Sequence, residues 1–219
     1  FSLSPLGRGQ GEGPEPLLVA SGVNLSFGGV VALEGVALTV NRHQIHAVIG
    51  PNGAAKTSLL NVLSGFYAPQ AGTITVGGRS IGGLSPYAVA RHGIARTFQT
   101  AQVFGELSVR DNVAVGVTGP RLGSPLSALV ATPGSRAREA VRQSRALELL
   151  HALGLGELAD EPADSLAAGL RRKLEIARAL ATEPRLLMLD EPAAGLSPSE
   201  IAALDAQLTG LRNQGGPTV

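Results

Sequence analysis

The stretch IGPNGAAKTSLL, residues 49–60, carries residue types that hold phosphate. Gly50 and Gly53 allow tight backbone turns, and the amide groups of residues 53–57 can converge on phosphate oxygens where a helix begins. Lys56 stands where it would reach the β and γ phosphates of a nucleotide, and Thr57 would offer its hydroxyl to Mg²⁺. One position departs from the pattern G-x-x-x-x-G-K-[ST]: Ala55 occupies the place of the last glycine. Much further along, LLMLDEP closes an apolar run with Asp190 and Glu191. Adjacent carboxylates at a strand end can divide the work of phosphoryl transfer to water, Asp190 serving the metal and Glu191 the attacking water. The loop alone already favours nucleotide binding over an ordinary glycine turn, whereas Asp-Glu-Pro alone reads as a strand end and a turn; together they specify nucleotide chemistry.

The surrounding text supplies the elements that would position these groups. HQIHAVIG reads as an apolar strand running into the loop, and AKTSLLNVLSG as a helix closed by Gly65. Before them, LLVASGV, NLSFGG and VVALEGVALTV alternate β-type runs with turn signals, which predicts a strand-rich edge. GTITVGG predicts a further strand, and SPYAVARHG a short helix capped by Ser85 with Pro86 at its first position. SVRDNVAVGV, SRAREAVRQSRALELLHALGL and GLRRKLEIARALATEP have helical periodicity, the second with Ala137, Val141, Ser144, Leu147 and Leu150 on one face. TGPRLGSPLSALVATPGS between them reads as a flexible insertion. RLLMLDEP is a buried strand, and SPSEIAALDAQLTGLRNQGG a capped helix with a glycine stop. Strands alternating with helices around a glycine loop predict an α/β fold with a mostly parallel sheet.

Composition narrows the classes. The 219 residues suit one domain of ordinary size, and a net charge of +1 gives no electrostatic case for nucleic acid. Cysteine is absent, which excludes disulfides and thiolate metal sites and fits a reducing compartment. No run approaches the roughly 18 apolar residues of a spanning helix. Residues 1–16, rich in glycine and proline, read as a disordered tail rather than a signal peptide, and the chain starts on Phe1 instead of methionine. His43, His46, His92 and His151 lack metal-ligand spacing, and Arg171, Arg172 and Lys173 read as a solvated helix face.

These motifs, in this order, resemble the ATP-binding subunits of ABC transporters, and the likeness covers about residues 17–219. The resemblance implies a RecA-like P-loop core with an antiparallel β edge and a helical subdomain at about 100–183. It makes Gly50, Pro51, Asn52, Gly53, Ala54, Ala55, Lys56, Thr57 and Ser58 the ATP-binding loop, with Phe27 stacking on adenine. Lys56, Glu191 and Gln99 would be catalytic, and Thr57, Gln99 and Asp190 would meet Mg²⁺. SLAAGLRRKLEIARAL holds the place of the signature motif, whose Ala167 and Gly169 would reach the nucleotide of a second ATP-binding subunit. AAGLSP holds that of the D-loop. GIARTFQ, the insertion, RRKLEIARAL and LDEPAAGLSPSE look most like subunits serving branched-chain amino acid uptake, with urea or amide importers as near relatives. Implied with them are transmembrane permease subunits, a solute-binding protein acting through those, and a peripheral place on the cytoplasmic face of the inner membrane.

The sequence also departs from that family. If Ala55 took helical dihedrals, alanine would suit the backbone and its methyl would be the difficulty. The signature reads Leu166, Ala167, Ala168, Gly169, Leu170, without its usual serine and glutamine, and Ser197 replaces Asn or Asp in the D-loop. The family's next strand and its phosphate-contacting histidine are expected beyond Val219. These departures support a rival reading, an impaired relative that binds nucleotide or a partner without turnover. A DNA-repair or translation ATPase fits less well, because no long coiled coil or second ATPase domain is present.

Overall fold

The computed structural model describes residues 15–51, 53–98, 102–118, 133–213 and 215–219. Strands β1 (Pro16–Phe27) and β2 (Val30–Asn41) form an antiparallel hairpin through Gly28 and Gly29, both with positive φ. What reads in the sequence as separate short strands before Phe27 is one strand bent by register shifts, between which Gly22 adopts φ 62°. Pro16, placed in the tail by the sequence, opens β1. Strand β3 (Ala71–Val76) pairs with the other edge of β1, and β4 (Arg79–Ser80) completes an antiparallel sheet ordered β2-β1-β3-β4.

Helix α1 (Lys56–Leu63) follows the glycine loop and lays Leu59, Val62 and Leu63 on this sheet, with Val23, Ile74 and Val76 buried beside them. Helix α2 (Pro86–Arg91) is capped as expected, the Ser85 hydroxyl accepting from the Ala88 amide.

The second sheet is parallel. Strand β5 (Ile94–Arg96) pairs with β6 (Leu186–Met188), and Thr218 pairs with Leu186 on the far side. The Val219 amide donates to Gln44 O at 3.0 Å and the His46 amide to Val219 O at 2.7 Å. The chain segment before the loop is therefore tied to β6 through residues 218 and 219. The apolar strand expected before the loop does not form: residues 44–50 adopt no regular element, and only Gln44 and His46 find backbone partners there. Strand β6 alternates: Leu186 and Met188 join the core under the antiparallel sheet, while Leu187 joins a second core.

That second core belongs to helices α3 (Val109–Thr118), α4 (Pro133–Ala152) and α5 (Ala168–Leu180), with α6 (Pro198–Asn213) adding Leu204 and Leu208. Gly116 lets α3 approach α5, since a Cβ there would run into the Arg178 carbonyl. The face foreseen on α4 is corrected in part: Leu147 and Leu150 pack into this core as expected, whereas Ala137, Val141 and Ser144 are exposed and the remaining buried positions of the helix are Ala146 and Leu149. Most of the expected insertion lies outside the described residues.

Candidate functional site

The loop before α1 is built from its backbone. Gly53 has φ 83°, and a Cβ there would meet no atom within 4 Å, so conformation rather than space calls for glycine. The Ala54 amide closes a turn onto Pro51 O at 3.1 Å. Ala55 is the N-cap of α1 with φ 54° and ψ 23°, the left-handed region. The condition under which alanine would suit this position is not met: the residue is not helical, and an L side chain there costs roughly 1–2 kcal/mol that glycine would avoid. The difficulty therefore lies in the backbone and not only in the methyl group.

Lys56 folds across the loop, its Nζ donating to Gly50 O at 2.8 Å and Pro51 O at 2.9 Å. Helix α1 begins at Lys56, and the first turn of a helix offers backbone amides that no intrahelical carbonyl accepts. A cation above a turn of glycines at a helix start matches the chemistry of a triphosphate. Lys56, Asp190 and Glu191 line one cavity of about 420 Å³ together with His46 and Asp205, and the rest of its wall is mainly apolar, from Ile45, Val48, Leu59, Leu187 and Val219 among others.

Asp190 is buried, and its Oδ2 receives Arg96 Nη2 at 3.0 Å. Arg96 also donates to Asn61 Oδ1 and Ser64 Oγ, at 2.7 and 2.8 Å, and lies over the rings of Phe66 and Phe98. The ion pair engages Asp190 through Oδ2, so Oδ1 is the oxygen that could face a metal. Among the described residues no cluster of three His, Asp or Glu side chains forms a metal site by itself, so Mg²⁺ fits here only with phosphate oxygens completing its shell. Glu191 is exposed and holds φ 49° ahead of Pro192, a strained conformation of the kind found at functional sites.

Phe27 is 44% exposed and meets the Tyr67 ring edge to face at 5.0 Å. Ala167 caps α5 without any side-chain hydrogen bond, as the lost serine implies. Gly169 sits against the D-loop: a Cβ there would lie 2.8 Å from Leu196 Cδ2. Ser197 and Glu200 form a capping box at the start of α6, with the Ser197 amide and hydroxyl both donating to Glu200 Oε2. Asn52 and Gln99 lie outside the described residues.

Over residues 33–194 the chain matches the ABC transporter family. It belongs to that family. Similar relatives are the high-affinity branched-chain amino acid transport ATP-binding proteins LivG of Salmonella typhimurium and BraF of Pseudomonas aeruginosa, each 42% identical. The alignments cover 94% and 93% of this chain and 80% of each relative. An ATP-binding cassette of an ABC transporter solved in its ADP conformation superposes with a TM-score of 0.78 at 31% identity, covering 93% of this chain and 79% of that one. The reading of an ABC-type ATPase with a P-loop α/β fold holds.

Several residues of the site were not legible in the sequence. Arg172 is the main correction: placed on a solvated face, it is 4% exposed and reaches into the site region with Glu175. Its spacing from Glu175, three residues along a helix, was the available signal. Arg96 and Tyr67 carried none beyond proximity to known motifs.

Proposed function

We propose that this chain binds and hydrolyses Mg·ATP as the nucleotide-binding subunit of an ABC importer, and that branched-chain amino acids are its cargo. The observation that carries the reading is the shared cavity of Lys56, Asp190 and Glu191 at the junction of loop and β6. The cargo rests on the names of the relatives alone.

In this reading Lys56 exchanges its carbonyl partners Gly50 and Pro51 for β and γ phosphate oxygens. Gly50, Pro51, Asn52, Gly53, Ala54, Ala55 and Ser58 wrap the phosphates, and Phe27 covers the adenine. Thr57, Asp190 and Gln99 hold Mg²⁺, which neutralises charge on the transferring phosphoryl group. Glu191 accepts the proton of the attacking water. Two such subunits meet head to tail, so that Ala167, Gly169 and the start of α5 face the partner's γ phosphate. Gln99 relays the state of the site to transmembrane permease subunits, which a solute-binding protein supplies. The subunit sits peripherally on the cytoplasmic face of the membrane through those permeases; no helix among the described residues is long and apolar enough to cross a membrane.

Mg·ATP turnover that disappears in Glu191→Gln while nucleotide binding persists supports the proposal. Binding without turnover in the parent would favour the impaired relative, for which the left-handed Ala55 and the uncapped α5 are the specific observations.

A further inference from the structure

Between the signature helix and the two catalytic segments lies a buried polar junction that the proposed chemistry does not use. Arg172 and Glu175 stand one turn apart on α5, with side chains 5% and 3% exposed, and pair at 2.7 Å. Glu175 Oε1 accepts the Phe98 amide at 2.9 Å, and Arg172 Nη1 donates to Phe98 O. The pair thus satisfies both backbone groups of the residue before Gln99, as a neighbouring strand would. Arg172 Nη2 donates to Asp190 O and, at 3.1 Å, to Glu191 O. One guanidinium therefore holds three carbonyls from the two segments that flank the reacting phosphate.

The fork geometry matters. Five fixed N–H donors can hold separate carbonyls at once, which the single ammonium of lysine does less rigidly. Arg172 lies five residues after Ala167, on the helix that Ala167 caps. Its hydrogen bond to Glu191 O ties α5 to a backbone position that already holds φ 49°.

We infer that Arg172, held by Glu175, is a positioning residue that ties the backbone of Phe98 and of Asp190–Glu191 to the signature helix, so that the placing of Glu191 depends on it. This rests on the ATPase reading above.

The test uses the full chain as wild type, Arg172→Lys and Glu175→Gln, with steady-state Mg·ATP hydrolysis and native-state amide exchange. Arg172→Lys is expected to lower kcat on the order of 10- to 100-fold with KM within about twofold, as misplacement of a catalytic group does. In both variants the amides of residues 96–98 and 188–192 exchange faster together, while those of β1 and β3 stay protected. Exchange unchanged at 188–192, or kcat within about twofold of wild type, overturns the inference. Because one charge left alone in a buried pair can unfold a protein, Arg172→Met with Glu175→Leu removes both. That variant is expected to fold, bind ATP and turn over slowly; folded and fully active, it too overturns the inference. A wild type without turnover whose variants still loosen both segments counts against the ATPase reading alone.

Discussion

Arg96 and Asp190 meet at 3.0 Å with both side chains only 5% exposed, so the aspartate expected to serve the metal is anchored by a cation that also grips α1 through Asn61 and Ser64. The end of β6 and the helix that follows the phosphate loop are thereby fixed to one another before any nucleotide arrives. Arg96→Ala would leave Asp190 buried without its partner. The expected loss is about 3–5 kcal/mol in urea unfolding, whereas Arg96→Met with Asp190→Asn should lose clearly less. Equal losses would show that packing, not charge, dominates the junction.

Ala55→Gly should stabilise the chain by up to about 1 kcal/mol, since the left-handed conformation at φ 54° costs glycine almost nothing. Thermal unfolding measures the gain, and calorimetry with Mg·ATP should show equal or tighter binding. A lower melting temperature would mean that the Ala55 methyl packs more usefully than its backbone suffers.

Ala167→Ser should restore the missing N-cap of α5, worth about 1 kcal/mol. In urea unfolding the midpoint rises with an unchanged slope. If the chain also turns over faster, the hydroxyl serves the partner's site as well as the helix.

How much of this was readable beforehand follows locality. The loop and helix around Lys56 and the paired carboxylates at 190 and 191 are consecutive residues, and their types alone state their chemistry, although the strand expected before the loop does not form. The capping of α2 by Ser85 was visible for the same reason. What escaped depends on contacts distant in sequence. Arg172 looks like one member of a charged cluster until Phe98 and Asp190, remote in the chain, close around it. Ala55 could be weighed only by its φ, which composition does not set, and the face of α4 depended on how far its partners extend.

Asp111 should give stability a carboxylate signature at low pH. Hydrogen bonds from Ser108 and then Gln143 hold its pKa below the ordinary 3.8. Its folded value being depressed, its contribution is fully present above the unfolded value and disappears as pH falls through the lowered folded one. The wild-type advantage over Asp111→Asn in urea midpoint should therefore shrink between pH 5 and the acid limit. An advantage that is constant with pH would contradict the assignment.

Tyr67 should matter to nucleotide affinity through Phe27, whose ring it meets edge to face at 5.0 Å. An aromatic pair of this kind is worth about 0.5–1.5 kcal/mol, so Tyr67→Ala should raise KM for ATP by roughly two- to tenfold with kcat unchanged. Tyr67→Phe, which keeps the ring, should behave as wild type.

The central claim is that Lys56, Asp190 and Glu191 around one cavity form a working phosphoryl-transfer site. It is tested most directly by measuring Mg·ATP hydrolysis of the chain beside Glu191→Gln and Lys56→Ala. The account predicts turnover in the parent, ATP bound but not hydrolysed by Glu191→Gln, and binding lost with Lys56→Ala. A folded parent that neither binds nor hydrolyses ATP, or turnover that survives Glu191→Gln, would contradict it.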